Sequence, residues 1–131
     1  MMDQGTQEFS YKIVPHRGDW RSAGISKKAC ELNTPVIQVA ETYHKGSLPQ
    51  SFCGIRIECD NVIATVFKKS EDKDAYILRC YETSGIATET IIEIPMLERK
   101  WIVSFGKCEI KTFFIPINID KTIIEKNLIE M

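Results

Sequence analysis

The chain has 131 residues, of which 44% are hydrophobic, which is one domain of ordinary size with enough apolar matter for a core. Seventeen basic residues against eighteen acidic ones leave a net charge of −1, which excludes the electrostatic footprint of nucleic-acid or anionic-membrane binding and makes Lys27-Lys28 and Lys68-Lys69 solvated faces. Met1 to Ser10 is polar without the apolar stretch of a secretory leader, and no apolar run approaches the roughly 18 residues of a membrane span, so a cytoplasmic location is expected.

Phe9, Tyr11 and Ile13 alternate with Ser10 and Lys12 as a half-buried strand, closed by Pro15, which has no N–H to donate to a ladder. A short helix is expected near residues 20–32: Asp19 stands as its N-cap, Ile25, Ala29 and Leu32 recur at i, i+4 and i+7, and Asn33 with Pro35 ends it. That stripe should lie across a sheet. Val36 to Ala40 suggests another strand, and Tyr43 to Ser51, with Gly46 and Pro49, a loop. Residues 1–45 thus form a strand-helix-strand lead-in, and 46–131 a module made of strands.

Within that module strands are expected at Ser51–Cys59, Val62–Lys68, Ala75–Tyr81, Thr88–Ile94, Lys100–Phe105 and Cys108–Ile115, spaced by about ten to fifteen residues with turn signals between them. Val62, Ile63, Ala64, Val66 and Phe67 are apolar on both parities, which predicts a strand covered on both faces. The charged turn Lys68 to Asp74 joins it to Tyr76–Tyr81 as one β-hairpin. Ser84-Gly85 and Gly106-Lys107 supply tight turns. The fold class that follows is mainly β, an antiparallel β-sandwich with one short helix. In the tail from Ile117 to Met131, the residues Ile119, Ile123, Ile124, Leu128 and Ile129 suit a helical stripe or a returning strand equally well.

Side-chain chemistry is sparse. The cysteines, at 30, 53, 59, 80 and 108, are odd in number and form no Cys-x-x-Cys pair, which argues against a disulfide framework and a structural zinc site. Cys53, Ile55, Ile57 and Cys59 share one parity, so both thiols should face the core as small hydrophobes. With only His16 and His44, and neither beside a cluster of carboxylates, a metal centre is hard to assemble. Glycoside hydrolysis needs two carboxylates roughly 5 to 9 Å apart, and no pair is marked by its surroundings; Glu71, Asp72 and Asp74 stand in a charged turn where desolvation is weakest. Trp20, Trp101, Tyr11, Tyr43, Tyr76 and Tyr81 include enough aromatics for a sugar-stacking platform, but aromatics at strand parity usually belong to a core.

Four segments carry a family resemblance. The hairpin, with Lys68-Lys69-Ser70-Glu71-Asp72, Asp74, Tyr76-Ile77-Leu78-Arg79, Tyr81-Glu82 and Ser84-Gly85, resembles the C-terminal β-domain of the glycoside hydrolase family 38 α-mannosidases. Glu8-Phe9-Ser10-Tyr11-Lys12-Ile13-Val14-Pro15-His16-Arg17-Gly18-Asp19-Trp20 is similar to the family segment in which a strand ends at Pro-His and Gly-Asp-Trp opens a helix. Ala29, Glu31-Leu32-Asn33 and Pro35 continue it, Glu109-Ile110-Lys111-Thr112 resembles a further strand, and Thr122 to Glu130 the closing segment, for which the resemblance favours an extended course.

The resemblance implies a non-catalytic C-terminal domain, truncated or split from an α-mannosidase-like hydrolase, that supports a catalytic domain acting on α-mannosides. The zinc or other divalent metal of such enzymes, with its Asp and His ligands and the aspartate nucleophile, would belong to that missing N-terminal domain, leaving no cofactor in this chain. Its partners would be the missing domain or, through the orphaned surface, a second copy. The alternative is a free-standing carbohydrate-binding or protein-interaction module. Arg79, Tyr81 and Glu82 are the candidate carbohydrate contacts, against the plainer reading of Arg79 and Glu82 as members of ordinary cross-strand ion pairs. His16 is the candidate contact with the absent domain, against the plainer reading of a histidine that hydrogen-bonds the strand-to-helix corner.

Overall fold

The computed structural model describes residues 5–71 and 74–127. Its strands are β1 (Arg56–Ile57), β2 (Val62–Lys69), β3 (Ala75–Glu82), β4 (Thr88–Ile94), β5 (Arg99–Phe105), β6 (Ile110–Pro116) and β7 (Ile124–Lys126), preceded by the helix α1 (Ile25–Asn33). They form two antiparallel sheets, β1-β4-β5 and β2-β3-β6-β7. The expected sandwich is therefore the fold.

Alternation builds its core. Along β3, Tyr76, Leu78, Cys80 and Glu82 point inward; along β4, Thr90, Ile92 and Ile94 do so; Phe105 on β5 and Phe113 and Ile115 on β6 close the interior. Phe113 of one sheet meets Trp101 and Phe105 of the other edge-on, at centroid distances of 5.5 and 6.4 Å. Full burial of each large aliphatic or aromatic side chain contributes about 1.5–3 kcal/mol, so this layer carries the stability of the chain. The outer face of the three-stranded sheet carries Arg56, Glu89, Glu93, Lys100 and Ser104, interrupted by the apolar pair Ile91 and Ile102.

The hairpin of β2 and β3 pairs Val62 with Glu82 and Lys69 with Tyr76, but a bulge interrupts the register between Ala64 and Val66. The extra residue, Thr65, donates its hydroxyl to the Arg79 carbonyl at 3.2 Å. This bulge corrects the reading of β2 as a strand covered on both sides. It changes the parity, so that Val62, Ala64 and Phe67 all face the core while Ile63 and Val66 face outward, half-buried. The strand is also the edge of its sheet, guarded by the bulge and by Lys68 and Lys69.

Ser84-Gly85 and Gly106-Lys107 fall between strands as expected, yet neither closes a hairpin: β3 to β4 and β5 to β6 each cross from one sheet to the other. The loop after β6 is tied to β5 by Arg99, whose guanidinium donates to the carbonyls of Ile119 (2.7 Å), Pro116 (3.0 Å) and Asn118 (2.6 Å). The tail then returns as β7 beside β6, the extended course that the resemblance favoured. Asp72, in the expected charged turn, and Leu128 and Ile129, in the apolar tail, lie outside the described residues.

The lead-in departs from the alternation. Phe9–Ile13 and Val36–Ala40 run without joining either sheet, and of Ser51–Cys59 only Arg56–Ile57 pairs. A strand needs a neighbour for its backbone groups, and the two sheets leave none within reach of these segments. Cys53 is accordingly exposed, against the core position expected for it, while Cys59, Ile55 and Ile57 do pack on the core.

Asp19 caps a turn rather than the helix: its carboxylate accepts the Ser22 amide at 2.8 Å, which holds it below the usual carboxylate range. Gly24, at φ 63°, then breaks that turn from α1. The helix buries no residue. Ala29 and Cys30 look toward the outer face of the four-stranded sheet, whereas Ile25, Ala29 and Leu32, the stripe expected to cross the sheet, line a depression shared with Lys12 and Val14.

Candidate functional site

Glu82 ends β3 at inward parity and is fully buried. One of its carboxylate oxygens accepts from Asn61 Nδ2 (2.9 Å) and the Ser84 amide (2.7 Å). The other accepts from the amides of Gly85 (2.8 Å), Ile86 (3.2 Å) and Cys108 (2.9 Å). Asn61 also reaches Thr88 Oγ1 at 2.6 Å. One side chain therefore fastens both crossings between the sheets, the turn after β3 and the loop after β5. Gly85 at φ 69° and Cys108 at φ 53° hold left-handed conformations that aim their amides at it. Burial pushes the Glu82 carboxyl up, but the hydrogen bonds from Cys108, Ser84, Asn61 and Gly85 outweigh it and hold the group below the ordinary glutamate value.

Such a carboxylate is unsuited to acid–base or nucleophilic work: it has no solvent contact and both oxygens are engaged by the protein. It also has no surface to offer a sugar. Arg79 and Tyr81 lie on the opposite, outward face of β3, away from Glu82, and Arg79 Nε donates to Thr112 Oγ1 of the neighbouring strand at 3.1 Å. His16 lies exposed in the lead-in and, among the described residues, forms no hydrogen bond. The corner it was expected to brace is held by Asp19 with Ser22 and by Arg21, whose Nε donates to the Ser84 carbonyl at 2.7 Å. Sequence reasoning passed over Asn61, Thr88 and Arg99. The signal for the first two was present: an acidic residue at core parity two residues before Ser84-Gly85 demands donors, and Asn61 stands just before the paired strand.

The recess with most claim to a ligand lies between α1 and the outer face of β2 and β3. It is an apolar groove of about 490 Å³ lined by Trp20, Ala29, Cys30, Asn33, Ile63 and Tyr81. Arg21 stacks over the Trp20 ring at 4.5 Å. Of the aromatics weighed for stacking, Tyr76 and Trp101 pack on the core, Tyr11 and Tyr43 stand in solvent, and only Trp20 and Tyr81 share a recess. No group of three or more His, Cys, Asp or Glu among the described residues could hold a metal ion. No helix among them is long and apolar enough to cross a membrane.

The comparisons agree with the architecture. A family profile described as the glycosyl hydrolases family 38 C-terminal beta sandwich domain matches residues 61–113, the span from Asn61 through Phe113 that contains the Glu82 cluster. The chain is similar to alpha-mannosidase G of Dictyostelium discoideum, 33% identical over 105 residues, which covers 71% of this chain and 9% of that protein. It is 27% identical over 86 residues to human alpha-mannosidase 2C1, covering 63% of this chain and 8% of that protein. The chain thus spans less than a tenth of the length of the curated relatives it matches. No solved structure matches it.

Proposed function

The chain carries a glycosyl hydrolases family 38 C-terminal β-sandwich domain, and from that premise we propose that it is a non-catalytic supporting domain of an α-mannosidase-like hydrolase, working in carbohydrate metabolism. The observation that carries this reading is the use made of Glu82: the best-buried carboxylate of the matched span is consumed in fastening one sheet to the other. On this reading zinc or another divalent metal belongs with the catalytic part, and the setting is cytoplasmic. Fold alone assigns no activity, so the reading rests on the family match and the engaged carboxylate together.

The purified chain is expected to hydrolyse no aryl α-mannoside, with or without added zinc. Turnover that one carboxylate substitution abolishes would refute the reading. A second reading, a carbohydrate-binding module, draws on the groove that holds Trp20 and Tyr81. Titration with mannose and short α-mannosides, followed by a two-dimensional amide spectrum, separates the two. Shifts confined to the groove and neighbouring Arg79 favour the module; an unchanged spectrum favours the supporting domain.

A further inference from the structure

The lead-in shows its hydrophobic side chains to water in the pattern of strands. Phe9, Tyr11 and Ile13 are 85%, 76% and 83% exposed, every second residue of one extended segment. In a second segment Val36, Ile37 and Val39 are each more than 80% exposed, Ile37 and Val39 two residues apart. Among the described residues no backbone hydrogen bond ties either segment to a sheet. Scattered surface hydrophobics need no explanation, but two extended segments with exposed apolar side chains and free ladder groups form an unmet strand interface.

The rest of the molecule says which side this interface faces. Trp20 and α1 lie over the outer face of β2 and β3 in the four-stranded sheet, which carries Ile63, Val66, the fully buried Ile77 and Phe114 beside the polar Arg79 and Thr112. The opposite face, on the three-stranded sheet, carries the charges of Arg56, Glu89, Glu93 and Lys100 around the apolar pair Ile91 and Ile102. Leu32 of α1, 45% exposed, lines a depression with Lys12 and Val14, which places the end of the first segment beside the helix.

Resting on the supporting-domain reading, we infer that Phe9–Val14 and Val36–Ala40 add as strands to a sheet edge of the preceding part of an α-mannosidase-like polypeptide, and that this strand addition is how the sandwich docks. Two facts choose that occupant over others. The curated relatives carry more than ten times the matched length, and the matched domain is by description C-terminal, so their remaining polypeptide includes a long preceding part. In addition, a match covering 71% of this chain, about 93 residues, begins no later than residue 39, so it takes in at least the end of the lead-in. Strand addition takes its affinity from main-chain hydrogen bonds and its specificity from alternate side chains, which is what Phe9, Tyr11 and Ile13 present.

The test mixes the full chain with Dictyostelium discoideum alpha-mannosidase G ended before the stretch that this chain matches, and follows sedimentation and amide hydrogen exchange. The expected result is a one-to-one complex in which the amides of Phe9–Val14 and Val36–Ala40 exchange at least about tenfold more slowly than in the free chain. Tyr11→Pro, which removes a ladder donor, should weaken the complex by about tenfold or more while leaving the urea midpoint of the sandwich unchanged. A complex that forms with these amides unprotected and Tyr11→Pro without effect overturns the inference and leaves the supporting-domain reading standing. Absence of any complex overturns both. Protection of the same amides in the chain alone, with the mass of a dimer, makes a second copy the occupant and overturns the inference as stated.

Discussion

Glu82 and the cysteines show how position in the sandwich sets the behaviour of a single side chain. Glu82→Gln should cost about 2–4 kcal/mol in urea unfolding at neutral pH, because an amide nitrogen would then confront backbone donors that now find a carboxylate oxygen. The sign of the pH dependence follows from the hydrogen bonds. The folded carboxyl is held below its unfolded value, so its contribution is complete above the unfolded pKa of about 4.3 and is lost as pH falls through the lower folded value. Wild type should lose stability across that acid window, and Glu82→Gln should show a flatter profile there. A parallel pair of profiles would contradict the role given to Glu82. Among the thiols, burial pushes Cys80 up to about 12, whereas Cys30, Cys53 and Cys108 are exposed. A thiol reagent at pH 8 should therefore modify those three quickly in the folded chain, and Cys80 only on unfolding.

The elements of the chain differ in what holds them. The strands β3, β4 and β6 owe their stability to the inter-sheet layer, and Phe113→Ala, which removes the ring packed against Trp101 and Phe105, should cost about 3–5 kcal/mol. The helix buries nothing, so Ala29→Gly should leave the urea unfolding free energy of the sandwich within about 0.5 kcal/mol of wild type, although it lowers helix propensity by about 1 kcal/mol. Equal effects from the two substitutions would mean that α1 is part of the cooperative core. The strand positions from Val62 to Ile115 were legible because alternation and turn residues act locally; Thr88–Ile94 forms with the ends expected from its pattern. The bulge at Thr65 was not legible, because one inserted residue mimics a strand that is apolar on both sides.

Taken whole, the molecule is a stable sandwich with a lead-in that it does not itself cover. The amides of β3 and β6 should exchange only through global unfolding, while those of Phe9–Val14 should exchange near the rate of an unstructured peptide; protection of that segment in a monomer would show that the chain satisfies its own lead-in. Strand parity and position in the chain explain why the site candidates parted company. Arg79 and Tyr81 share the outer face, Glu82 turns inward, and His16 stands apart in the lead-in.

By itself the sequence determined the family, the mainly β architecture and the hairpin, since motif order and period-two patterning are properties of residues near one another in the chain. Tertiary structure decided the rest. That Glu82 joins two crossings, that β2 is an edge, and that Phe9, Tyr11 and Ile13 have no neighbour depend on which strands pair across the fold, and pairing is set by distant residues that no local period records. An amphipathic segment announces that it requires a partner; only the assembled sheets reveal whether the same chain provides one.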